Sequence, residues 1–118
     1  MKWNNLMNFK IEIIDEFKRN FKRLSKKFRT LNTELSELIT ELEDNPKLGK
    51  SLGAGLYNIR LSSDSKGGGK IGGFRVITYY IEKTDDCEIV YLVTIYDKSE
   101  EDSVKKSDLI KMIDIFLE

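Results

Sequence analysis

The chain has no histidine, a single cysteine, a single proline and no long apolar run. Without histidine there is no Ser-His-Asp or Cys-His nucleophile, no imidazole acid–base pair and no ordinary zinc site. Any chemistry must come from Lys, Arg, Tyr, Asp or Glu. Cys87, standing alone, excludes an internal disulfide and fits a reducing compartment. No stretch approaches the roughly 20 apolar residues of a membrane span. The start, "MKWNNLMNFKIEIIDEF", has neither an apolar core nor a small-residue cleavage site, so no secretory signal is expected and the cytoplasm is the expected location. Net charge is missing too: 20 basic residues balance 20 acidic ones.

That zero conceals a gradient. Lys18, Arg19, Lys22, Arg23, Lys26, Lys27 and Arg29 follow one another with no acidic residue between them. From Lys47 to Lys83 basic residues still dominate, with only Asp64 and Glu82 against them, and from Thr84 onward acidic residues prevail. Surface fields are local, screened within about 10 Å, so the middle of the chain is suited to an anion although the whole is neutral. The length of 118 residues, with 40% hydrophobic and 34% charged content, fits one globular domain with a modest core. Residues 1–7 read as a possible N-terminal extension.

Apolar spacing organises the rest. "NFKIEII" alternates as a first strand, with Phe9, Ile11 and Ile13 on one face. Phe17, Phe21, Leu24, Phe28, Leu31, Leu35, Leu38 and Leu42 then recur at alternating steps of four and three, a helical stripe. The stripe fits one long helix or two folded back on each other. Thr30, Asn32 and Thr33 are cap-type residues, so a break near 25–32 and a helical hairpin are expected. "EDNPKLGKSLGAG" reads as a connecting loop. "LYNIRL", "GFRVITYYIE" and "EIVYLVTIY" read as strands of an antiparallel meander, and Val104, Leu109, Met112, Ile113 and Phe116 mark a closing amphipathic helix. The expected class is α+β: an antiparallel sheet with its helices, an N-terminal helical hairpin and a short C-terminal helix, covering one face, and a second face carrying Asn58, Arg60 and Arg75 free for a partner.

The stretch with most to explain is "KGGGKIGGFRVITYY", residues 66–80. Gly67, Gly69 and Gly72 spell G-x-G-x-x-G, but a dinucleotide site needs a strand before the motif and a helix after it, and here a strand follows. Lys70 is followed by Ile71 instead of Ser or Thr, which removes a Walker loop as well. Two readings remain. The segment is a plain solvated hairpin loop, or it brings backbone N–H groups with Lys66 and Lys70 against a phosphate backbone.

The succession "NPKLG", "GLYNIRL", "KGGGKIGGFRVITYY", "YLVTIYDKSE" and a short closing helix resembles the RelE/HigB family of toxins from bacterial type II toxin–antitoxin systems, and within it the HigB-like branch. The similarity spans about residues 9–117. The resemblance implies the RelE-like fold and a ribosome-dependent mRNA endonuclease that needs neither metal nor cofactor. In it a ribose 2′-OH attacks the adjacent phosphate. It also implies a cognate antitoxin of helix-turn-helix type, mRNA in the ribosomal A site and 16S rRNA as partners, with no membrane involved. By the same resemblance Arg60, Arg75 and Lys98 are the catalytic residues, and Asn58, Lys66 and Lys70 contact RNA. Arg60 and Arg75 would hold the scissile phosphate, and Lys98 would serve proton transfer or the leaving group. Ser99 stands where the best-known members have arginine, and "EEDSVKKSD" lacks the tyrosine those members use. Tyr79, Tyr91 and Tyr96 read either as base-stacking surfaces or as core. The basic run 18–29 reads either as a solvated helix face or as a contact to ribosomal RNA. Two other outcomes stay open within the superfamily: a non-enzymatic, ParE-like gyrase poison, and a catalytically inactive, antitoxin-binding homologue.

Overall fold

The computed structural model describes residues 8–66, 73–84, 87–100 and 104–117. Residues 1–7 and Lys70 therefore lie outside the described residues. The chain runs β1 (Asn8–Ile13), α1 (Asp15–Lys27), α2 (Leu31–Asp44), β2 (Lys50–Gly53), β3 (Leu56–Leu61), a short 3-10 turn (Asp64–Lys66), β4 (Phe74–Thr84), β5 (Cys87–Asp97) and α3 (Lys106–Leu117). The strands form one sheet in the order β1-β5-β4-β3-β2.

The apolar stripe resolves into two helices. Phe28 leaves α1 with an extended backbone (φ −116°, ψ 100°), and α2 begins three residues later. Folding the stripe back lets Phe17, Leu24, Leu31, Leu35, Leu38 and Leu42 join a single buried cluster with Ile59, Phe74, Val76, Val90, Leu92 and Ile95 of the sheet. One straight helix would have left half of that stripe in water. Each such fully buried side chain contributes about 2 kcal/mol of transfer free energy, which is what makes the hairpin the better solution.

Three features go beyond the sequence reading. The meander is antiparallel, but β1 pairs parallel to β5, with Ile11 opposite Val90, so the sheet is mixed. The segment read as a connecting loop contains β2, which pairs antiparallel with β3 and places Lys50 opposite Asn58. Ala54 and Gly55 both have positive φ (56° and 84°), the combination that lets a tight hairpin turn follow the twist of its strands. The third is a correction: the helices do not all lie on one face. Leu109 and Ile113 of α3 are buried with Leu56, Ile77, Ile89, Tyr91, Val93 and Tyr96 on the face opposite the hairpin. That face is apolar over much of its area and needs cover, which α3 supplies. Among the described residues no helix is long and apolar enough to cross a membrane.

Gly73 opens β4 under a steric constraint. A Cβ on it would sit 2.8 Å from the Leu61 carbonyl oxygen, closer than real side chains come. Gly73→Ala is expected to lower stability by about 2 kcal/mol through the shift it forces at the β3–β4 junction. Urea midpoints of wild type and variant check this.

Candidate nucleic-acid interface

Strand alternation builds the site. On β3, Ile59 and Leu61 face the helical hairpin, which turns Asn58 and Arg60 to the other side. On β4, Phe74 and Val76 face the hairpin and Arg75 does not. The register then makes Arg60 and Arg75 direct cross-strand partners. Like charges opposite one another destabilise a sheet. Among the described residues no carboxylate forms an ion pair with either guanidinium. Arg60 is exposed and Arg75 half-buried, its Nη1 donating only a long 3.4 Å bond to the Phe74 carbonyl.

Both arginines line an open hollow of about 310 Å³ together with Gly49, Lys50 and Asn58. Lys50 is the residue that sequence reasoning missed. It lies on β2 opposite Asn58, and its only sequence signal was the "GAG" turn that folds β2 onto β3. Gly49 is required at the rim. Its φ is +100°, and a Cβ there would stand 2.6 Å from the Asn58 carbonyl oxygen. The result is three cations and one carboxamide around a solvent-open depression, an arrangement suited to a phosphodiester.

Lys66 and Lys98 are placed differently. Lys66 closes the 3-10 turn on the hairpin side of the sheet, with its ammonium 5.4 Å from the Phe28 ring centroid and 5.2 Å from that of Phe74. It forms an ion pair with the buried Asp97, whose side chain is 4% exposed. The Lys66 ammonium thus points inward, because Asp97 and two aromatic faces offer it a better site than water does. The turn before Lys66 is tied to the start of α2. Thr30 N–H donates to Ser65 Oγ (2.7 Å), Ser65 N–H donates back to Thr30 Oγ1 (3.1 Å), and Asp64 N–H donates to Glu34 Oε2 (2.8 Å).

Asp97 also accepts from Ser99, at 2.9 Å from its N–H and 2.8 Å from its hydroxyl. Burial by itself would raise the Asp97 carboxyl, but the hydrogen bonds from Lys66 and Ser99, with the charge of Lys66, outweigh it and hold the carboxyl below the ordinary carboxylate value. Lys98, between Asp97 and Ser99, is half-buried, and its N–H donates to the Gly73 carbonyl at 3.0 Å. It therefore sits level with the start of β4, two residues before Arg75, but it does not line the hollow. Glu100 faces Arg23 of α1 at 3.8 Å.

Tyr91 and Tyr96 are buried, and Tyr79 is half-buried against the same cluster. Tyr79 stacks on Tyr91 with centroids 6.0 Å apart, Tyr91 meets Phe116 edge-on, and Tyr96 is 5% exposed. Burial, with Glu12 and Tyr79 nearby, pushes the Tyr91 phenol up, which makes it a poor proton donor. The basic residues of the run 18–29 are all exposed. Lys18 and Arg19 pair along α1 with Asp15 and Glu16, whereas Lys22, Lys26 and Arg29 have no acidic partner among the described residues.

A mixed sheet with a helical hairpin on one face and a cationic hollow on the other has a counterpart among solved structures. The free E. coli toxin RelE, solved as an arginine-to-alanine double mutant, matches with a TM-score of 0.59 over 91% of this chain and 99% of that chain, at 18% identity. The family described as the RelE toxin of the RelE/RelB toxin–antitoxin system matches residues 16–115, and the chain belongs to it.

The Lys66–Asp97 pair yields a stability prediction. Asp97→Asn leaves the Lys66 ammonium buried without its counter-charge and is expected to cost about 3 kcal/mol at pH 7. A lowered carboxyl contributes stability that is complete above its unfolded value of about 4 and is lost as pH falls through the lower folded value. The gap between wild type and variant should therefore shrink only below about pH 4. Denaturant unfolding at pH 7 and pH 3 measures it.

Proposed function

We propose that the protein is the toxin of a type II toxin–antitoxin pair, of the HigB-like branch, and cuts messenger RNA in the ribosomal A site. Its place of action is then the cytoplasm, and its partners are a cognate helix-turn-helix antitoxin, mRNA and 16S rRNA. The observation that carries this reading is the opposed pair Arg60 and Arg75, facing an open hollow with no carboxylate partner among the described residues. A sheet that retains two unneutralised, directly opposed guanidiniums accepts a cost that an anion arriving from outside would relieve.

In the proposed reaction the ribose 2′-OH attacks the adjacent phosphorus and gives up its proton to solvent water. A 2′,3′-cyclic phosphate forms, the P–O5′ bond breaks, and the departing 5′-oxygen takes up a proton. Arg60 and Arg75 hold the non-bridging oxygens, where negative charge grows in the transition state. Lys98 stabilises or protonates the leaving oxygen. Asn58 and Lys50 hold the flanking backbone at the hollow's rim, and Lys70 adds a loop contact. Lys66 contributes through Asp97 and not by touching RNA. The partnerless cations of α1 give the chain a second, sequence-independent grip on ribosomal RNA, one that weakens as salt rises. The ribosome supplies what the small site lacks, an in-line alignment of 2′-OH, phosphorus and leaving group.

Primer extension on a defined messenger in a reconstituted bacterial translation mix tests this reading. Wild type is expected to give codon-aligned cuts that require ribosomes. Arg75→Ala is expected to slow cutting by about 10²- to 10³-fold, the usual cost of one lost transition-state donor, without loss of fold. An uncut messenger with normal translation would overturn the reading.

A further inference from the structure

The carboxylate of Asp97 gathers three donors on a single oxygen, Oδ1: the Lys66 ammonium, the Ser99 N–H and the Ser99 hydroxyl. Lys66 precedes the glycine-rich segment 67–72 in the chain, and Gly73 follows it. Asp97 binds Lys66, and the next residue, Lys98, donates its N–H to Gly73. Two successive residues at the end of β5 thus hold both flanks of the glycine-lysine segment. Glu100 N–H donates to the Asp97 carbonyl at 2.9 Å and closes the turn that carries Lys98.

Stability alone is a weak reason for such a pair. Removing two charges from water costs several kcal/mol, and an apolar pair of similar volume often fills the same space at equal or better stability. Lys66 already rests on Phe28 and Phe74, so an apolar side chain has a ready place there. An apolar pair could not accept from Ser99. We propose that Asp97 is a positioning residue whose bonds to Lys66 and Ser99 hold the Lys98 turn against the start of β4, beside Arg75, at the spacing the cleavage reaction needs. The inference rests on the reading of Lys98 as a participant in cleavage.

Apolar replacement of the pair separates position from stability. Lys66→Met/Asp97→Leu is expected to unfold at a denaturant midpoint close to that of wild type. It should nonetheless cut about 10- to 100-fold more slowly at saturating ribosomes, with KM unchanged, because the turn is misplaced. Ser99 and Lys98 amide protons should exchange faster in this variant. Lys66→Met/Asp97→Asn removes both charges but keeps a carbonyl oxygen for Ser99, and should recover most of the rate whatever its stability. In a Lys98→Ala background the apolar pair should cost less than about twofold more, because both changes act through one group. Wild-type rates in a stable apolar variant, rates that follow stability across the two pairs, or fully additive losses with Lys98→Ala would each overturn the inference alone. A wild-type protein that cuts nothing would overturn the reading of Lys98, and the inference with it.

Discussion

The pairing of β3 with β4 sets the position of everything at the site. Side chains alternate across a sheet with period two, so a slip of one residue in either strand would send its arginine into the hairpin core and bring Ile59 or Phe74 out to water. Ile59, Phe74 and Val76, buried under α1 and α2, hold that register, and the arginines on the opposite side inherit it. Gly73 lets the two strands start pairing without a Cβ against the Leu61 carbonyl. The site is thus defined by the packing of its far side.

Electrostatics divides between the two faces. On the open face, Lys50, Arg60 and Arg75 surround a hollow with no acid to neutralise them among the described residues, and the field they share reaches solvent. On the hairpin face, Lys66 and Asp97 neutralise each other under aromatic cover. A net charge of zero is compatible with anion binding because opposite charges cancel only where they lie close together, and the described lining of the hollow carries no acid.

α3 and the hairpin cover the sheet unequally. The hairpin contributes six fully or nearly buried side chains to its cluster, α3 only Leu109 and Ile113. Ile115 is 70% exposed and Leu117 48%, so the last helix is lightly anchored. Its narrow footprint leaves the Arg60 and Arg75 end of that face uncovered, where a broader helix would have closed it.

Much was legible in one dimension. The steps of four and three from Phe17 to Leu42 determined a helical stripe, Thr30 and Asn32 suggested where it breaks, and alternation in "LYNIRL" and "GFRVITYY" placed Asn58 and Arg60 on one side. Those patterns are local, arising from the 3.6- and 2-residue periods of the backbone itself. Other features depended on residues distant in the chain. The parallel pairing of β1 with β5, the covering of the second face by α3 and the fold of β2 onto β3 are choices between elements, and no local period encodes them. The same holds within the candidate site. Arg75 could be chosen because "GFRV" matches the strand arginine of the family that the sequence resembles, but Lys50 looked like a loop residue, and Lys66 looked like a loop lysine open to RNA. Only the tertiary structure brought Lys50 to the hollow and turned Lys66 inward, because a charged side chain goes to whichever counter-charge or solvent the completed fold leaves within its reach.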